Sequence, residues 1–165
     1  MKKLLAAVIT ALMLVGCSSG TSEKEATQKE EIKAYVFETN GTTVAMNQDL
    51  SEIKDKLGKE QEKFTSPSCA FEGQEDNVYT YASYQLITYT KDNKEYIYQV
   101  TLKDDTVTTQ EGIALGETKE NVMNKYGKDY TEKNGALTYS AGDCQLEFLF
   151  ENDTLTQITY TAVVE

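Results

Sequence analysis

The chain has 165 residues, with 27 acidic against 16 basic side chains and a formal net charge of −11. It contains no His, and every basic side chain is Lys. That composition excludes Ser–His–Asp and Cys–His sites, removes the commonest metal ligand, and argues against nucleic acid or anionic lipid as a ligand.

Residues 1–16 read MKKLLAAVITALMLVG. Lys2 and Lys3 precede an apolar run that is too short to span a bilayer but suits the core of a signal peptide. The end of that run, Leu14-Val15-Gly16-Cys17, resembles a bacterial lipobox. The resemblance implies that Cys17 becomes the first mature residue and carries diacylglycerol. Several acyl chains on one residue make a stable anchor, whereas a single chain does not. Residues 17–33 continue as SSGTSEKEATQKEEIK after the Cys and lack aromatic side chains. They bury too little apolar surface to offset chain entropy, so they are expected to form a disordered tether.

The folded part is expected from residue 34. Asn40-Gly41 between two short apolar stretches is a strong hairpin signal. Residues 44–59 (VAMNQDLSEIKDKLGK) then align without a gap on residues 113–128 (IALGETKENVMNKYGK). Each copy reads as a short strand followed by a capped helix. Asp49 and Thr118 stand at the N-caps, and Glu52 completes a capping box in the first copy. Ile53/Leu57 and Val122/Tyr126 form the apolar stripes, and Gly58 and Gly127 supply the stops.

Strand-like sequence follows each copy. In the first half, residues 59–67 read as a polar segment and residues 77–90 as β-rich. Residues 95–102 alternate, with Tyr96, Tyr98, Val100 and Leu102 expected on one face. In the second half, residues 137–141, 144–150 and 155–163 read as strands separated by turns. The fold class expected is therefore α+β, with two tandem repeats at 34–108 and 109–165, each a short helix or helix pair packed on an antiparallel sheet.

Candidate chemistry is sparse. Glu72/Glu75/Asp76, Asp104/Asp105 and Glu151/Asp153 lie in expected turns or linkers, where carboxylates are ordinarily solvated. No stretch matches a calcium-binding loop or a glycine-rich phosphate cradle, so no metal or cofactor is expected. With Cys17 assigned to lipid, Cys69 and Cys144 can pair as a disulfide outside the cytoplasm, or remain as buried thiols. Tyr is abundant, with eleven residues against five Phe. Tyr79, Tyr81, Tyr84 and Tyr89 alternate through the first half as core or as an aromatic interaction surface.

The lipobox, the polar tether and the two helix motifs together resemble small extracytoplasmic lipoproteins of anaerobic Firmicutes. These are similar in turn to the β-lactamase-inhibitor-like fold and to the outer-membrane assembly lipoprotein of the small-protein-A type. The resemblance implies helices laid on antiparallel sheets, and in the inhibitor family an aromatic-rich sheet that grips a target enzyme. No inhibitory loop matches residue by residue, so β-lactamase inhibition is not implied. The function expected is a non-catalytic protein-binding module of the cell envelope, lipid-anchored to the outer side of the membrane. Alternatives are a small-ligand or cation-binding accessory lipoprotein and a carboxylate-based hydrolase.

Overall fold

The structure, a computed structural model, describes residues 34–68 and 71–164. The chain enters through a hairpin of β1 (Val36–Thr39) and β2 (Thr42–Ala45). Asn40 and Gly41 both take positive φ, 50° and 69°, as a two-residue hairpin turn of matching twist requires. Phe37 and Val44 lie opposite each other and are both buried.

The helix expected after this hairpin is broken into a 3₁₀ turn, Leu50–Glu52, and a single turn of α1 (Lys54–Leu57). Ile53 between them has φ −125°. The cause is local. Asp49 accepts from the backbone N–H of Ser51 at 3.0 Å and from its hydroxyl at 2.7 Å. That closes a tight turn two residues on, instead of capping a regular helix three residues on. The apolar stripe survives the break, since Leu50, Ile53 and Leu57 are all buried. In the second copy, α2 (Lys119–Tyr126) is regular, and Thr118 accepts from the N–H of Asn121 as a cap should. Its Val122 and Tyr126 are buried as the stripe predicts. Gly58 and Gly127 end the two helices at φ 85°, ψ −168° and φ 86°, ψ −159°. Only glycine occupies that region without strain.

The remaining strands are β3 (Glu62–Pro67), β4 (Glu75–Thr80), β5 (Tyr84–Lys91) and β6 (Lys94–Leu102), then β7 (Thr131–Lys133), β8 (Ala136–Ala141), β9 (Cys144–Glu151) and β10 (Thr154–Ala162). They form one antiparallel sheet of eight strands in the order β3-β4-β5-β6-β10-β9-β8-β7. This corrects the expected α+β class. The described chain is mostly β, and the two halves do not build separate helix-on-sheet repeats. Each half is a meander whose last strand presents an open edge. The two edges satisfy one another through Thr101–Thr159, Val100–Tyr160 and Gln99–Thr161.

The two motif copies dock on this sheet in matching ways. Asn47 N–H donates to Ile97 O at 2.8 Å and Ile97 N–H to Gln48 O at 2.9 Å. In the second half, Gly116 N–H donates to Leu155 O and Leu155 N–H to Glu117 O, both at 2.8 Å. A β-bulge follows each docking point, at Tyr98 in β6 and Thr156 in β10. Gln99 and Gln157, just beyond the bulges, donate to Thr101 and Thr159 at 3.0 and 2.9 Å.

The first bulge overturns the expected alternation of β6. An extra residue moves every later side chain to the other face. Ile97, Val100 and Leu102 therefore enter the core, while Tyr96 and Tyr98 are only half-buried. Register also pairs Leu86 with Val100 and Phe148 with Ile158, so Phe148 is the counterpart of Leu86 in the second half.

One continuous core lies between a single face of the sheet and the elements covering it: the β1–β2 hairpin, the 3₁₀ turn, α1 and α2. Tyr126 of α2 packs on Phe148 at 4.9 Å and on Tyr139 at 5.2 Å between ring centroids. The helices are too short to stand alone, so their stability comes from this contact with the sheet.

Three outcomes are expected. Phe148→Ala, at a fully buried ring, should cost about 3–5 kcal/mol in denaturant unfolding. Gly127→Ala should cost about 1–3 kcal/mol, because the added Cβ is strained at that backbone conformation. Finally, the turn contacts and Lys94, 2.9 Å away, hold the Asp49 carboxyl at about 2, below its ordinary 3.8. A lowered pKa contributes stability above the unfolded value and loses it as pH falls toward the folded one. Asp49→Asn should therefore flatten the stability profile between roughly pH 4 and pH 2, as read from thermal midpoints.

Candidate functional site

The sheet has a second face, and its chemistry differs between the halves. Register aligns Phe64, Val78, Ile87, Gln99, Thr161, Gln145 and Ser140 as one row across the strands. The row is apolar over β3–β5 and polar from β6 onward. The neighbouring row runs Ser66, Asp76, Tyr89, Tyr96. The tyrosines and the apolar side chains thus gather on the first meander, away from the helices.

Residues 71–74, ahead of β4, fold onto this region. Phe71 N–H donates to the Ser68 hydroxyl at 3.0 Å, and Gln74 N–H to Phe71 O at 3.1 Å. Phe71 is thereby placed 4.9 Å from the Tyr89 ring and 5.6 Å from that of Tyr98. Tyr89 in turn lies 5.6 Å from Tyr96. These distances suit edge-to-face and offset packing. Tyr89 is covered, and its hydroxyl donates to Asn47 at 3.2 Å. Phe71, Tyr96 and Tyr98 stay half-buried, and Phe64 is 45% exposed.

Beside this aromatic group is a pocket of about 310 Å³. Asp76 and Ser66 line it with Pro67, Val78, Ile87, Tyr98 and Gln99. Asp76 is only 8% exposed, and its Oδ1 has no hydrogen-bond partner. A buried acceptor without a partner is unfavourable, and a carboxylate more so than a neutral group. No lysine lines the pocket. The nearby Lys63 is engaged elsewhere, with Glu95 at 3.6 Å and over the Tyr79 ring.

The residues singled out from sequence are placed differently. Tyr79, Tyr81, Tyr84 and Tyr89 are all buried, which corrects their reading as an interaction surface. Tyr79 donates to Glu95 at 2.6 Å beneath Lys54 and Lys63, and Tyr81 stacks on Tyr84 at 4.6 Å. Alternation carries Tyr79, Tyr81 and Tyr84 to the core side. The rings left partly open are Tyr96 and Tyr98, which the bulge turns outward. Asp76 lies in β4, not in a turn. Its spacing of two from Val78 was the only sign of this in the sequence. Glu151 ends β9, Asp153 follows in the β9–β10 turn, and Asp104 accepts from Thr106 after β6. The acidic clusters thus lie at three separate places along the chain, and Glu75, Asp76 and Glu151 belong to strands.

Cys17 and Cys69 lie outside the described residues. Cys144 carries a free, buried thiol with its Sγ 3.5 Å from Gln145 O. Burial pushes that thiol up to about 12. Only the thiolate is a competent nucleophile. Iodoacetamide at pH 8 should therefore label Cys144 far more slowly in folded protein than after denaturation. Equal rates by peptide mass spectrometry would contradict this placement.

No protein-family model matches the chain, nor does any curated protein sequence. Among solved structures, the chain is similar to a cysteine-rich secretory protein from Staphylococcus aureus. The identity is 12% and the TM-score 0.48, over 71% of this chain and 44% of that one. The chain therefore spans less than half the length of that protein.

Proposed function

We propose that this protein is a non-catalytic protein-binding module of the cell envelope, held on the outer side of the membrane by lipid on Cys17. The observation that carries the binding part is the second face of the first meander. Phe71, Tyr96 and Tyr98 gather there around Tyr89, with Phe64 on the same face, all four partly open to solvent. Aromatic side chains of this kind are favoured at the centres of protein interfaces. The strong negative charge keeps such a face from associating with like surfaces. Anchoring rests on the LVGC run, and the polar residues after it supply reach from the membrane.

Duplication of one strand meander with its leading motif accounts for the matched docking bonds and bulges of the two halves. It also leaves one half free to diverge, which fits the contrast between the aromatic first meander and the Gln/Thr-rich second one. The alternative of a small-ligand accessory lipoprotein is favoured by the Asp76 pocket alone.

Crosslinking in the native envelope, followed by mass spectrometry, should recover a protein attached near Phe64, Tyr96 or Tyr98. Tyr96→Ala combined with Tyr98→Ala should abolish that product while the variant keeps the wild-type far-UV circular dichroism, at the cost of a lower unfolding midpoint. Recovery of the same partners from the double variant would reject the face. Cys17→Ala should move the chain from the membrane to the soluble fraction, with loss of the acyl mass. Unchanged partitioning would reject the anchor.

A further inference from the structure

We infer that Asn47 is the positioning residue of the aromatic face: its side-chain amide fixes the Tyr89 ring, and through it the three half-open rings that meet the partner. This rests on the protein-binding reading of that face. Tyr89 is the ring on which the others lean. Phe71, Tyr96 and Tyr98 lie 4.9, 5.6 and 6.4 Å from it between centroids. Tyr89 itself is 7% exposed, so it sets the geometry of the group while offering little surface of its own. Its hydroxyl donates to Asn47 Oδ1 at 3.2 Å. The amide is held at its other end, where Nδ2 donates to Val163 O at 3.2 Å. A carbonyl oxygen only accepts, so this second contact turns the Asn47 oxygen toward Tyr89 and sets the direction of both bonds.

The second half supplies an internal control. The gapless alignment of the two motif copies puts Gly116 where Asn47 stands. Both take positive φ, 61° for Asn47 and 89° for Gly116. Both donate their backbone N–H to the sheet at 2.8 Å, to Ile97 O and Leu155 O. Glycine therefore suffices for the backbone task, which leaves the amide of Asn47 to be explained by what it touches. Matching Ile97 with Leu155 carries Tyr89, Tyr96 and Tyr98 onto Glu151, Thr154 and Thr156. The half without the amide is also the half without the rings. Rings that must be ordered at the moment of binding weaken association, whereas rings already fixed by a supporting hydrogen bond do not.

The test compares Asn47→Gly with Tyr89→Phe in the intact lipoprotein. The first keeps the backbone option that Gly116 uses, and the second keeps the ring. Asn47→Gly removes the bonds to both Tyr89 and Val163, whereas Tyr89→Phe removes the first alone. The ring NMR signals of Phe71, Tyr96 and Tyr98, read in detergent micelles, should move in the same direction in both variants. Those of Tyr126 and Tyr139 in the core should stay in place, which a general loosening of the fold would not allow. The yield of the envelope crosslink should fall about tenfold in each variant, as expected for one lost hydrogen bond. The double variant should fall no further than either single one. Tyr89→Phe leaves the turn at Asn47 untouched, so a folding defect in Asn47→Gly cannot hide the answer. Ring signals unmoved in both variants overturn the inference and leave Asn47 as a link between the halves. Signals that move in Asn47→Gly but not in Tyr89→Phe assign the effect to Val163 and overturn it as well. A wild-type crosslink that persists undiminished in both variants overturns the inference while the aromatic face stands. Absence of any crosslinked protein from the wild type rejects the face and the inference together.

Discussion

The architecture depends on three residue pairs between β6 and β10. Without them each meander would end in an unpaired edge, and the core would be open along its middle. With them, Val100 and Tyr160 sit side by side under the hairpin, where Phe37 packs on Tyr160 at 6.0 Å. The hairpin therefore covers the seam itself. The short helices cover the ground to either side, and neither is long enough to persist without that support.

The seam also explains the bulges. Each half must pair its last strand with its neighbour for the full length, yet also accept hydrogen bonds from a motif segment beside Ile97 or Leu155. An added residue lets the strand twist away from its mate and receive the motif. A consequence is that β6 presents different faces before and after Tyr98. Apolar side chains stay inward on both sides of the bulge, and tyrosines are released outward. The candidate site is thus a by-product of how the halves are joined.

Local signals were legible where a few adjacent residues decide the outcome. Asn40-Gly41 made its turn, Thr118 capped its helix, and Ile53, Leu57, Val122 and Tyr126 went to the core. What the sequence hid was non-local or weakly patterned. β3 and β7 lie at the sheet's margins and are polar, so nothing in Glu62–Pro67 or Thr131–Lys133 marks them as strands. A bulge has no compositional signature at Tyr98, so strict alternation put Tyr96 and Tyr98 on one face with Val100 and Leu102. Asp76 was hidden by its neighbours Glu72 and Glu75, because a carboxylate among carboxylates reads as solvent-facing. The merging of two meanders into one sheet is invisible to any reading that takes each half by itself.

The polar margins have a consequence of their own. A sheet's outermost strands can template strand addition from another molecule, the first step toward fibrous assembly. Here one margin carries Glu62, Lys63 and Pro67, and the other is three exposed residues, Thr131-Glu132-Lys133. Proline lacks the donor that a new strand would need, charges oppose desolvation, and a three-residue ladder holds little. Neither margin therefore invites strand addition from another copy of the chain.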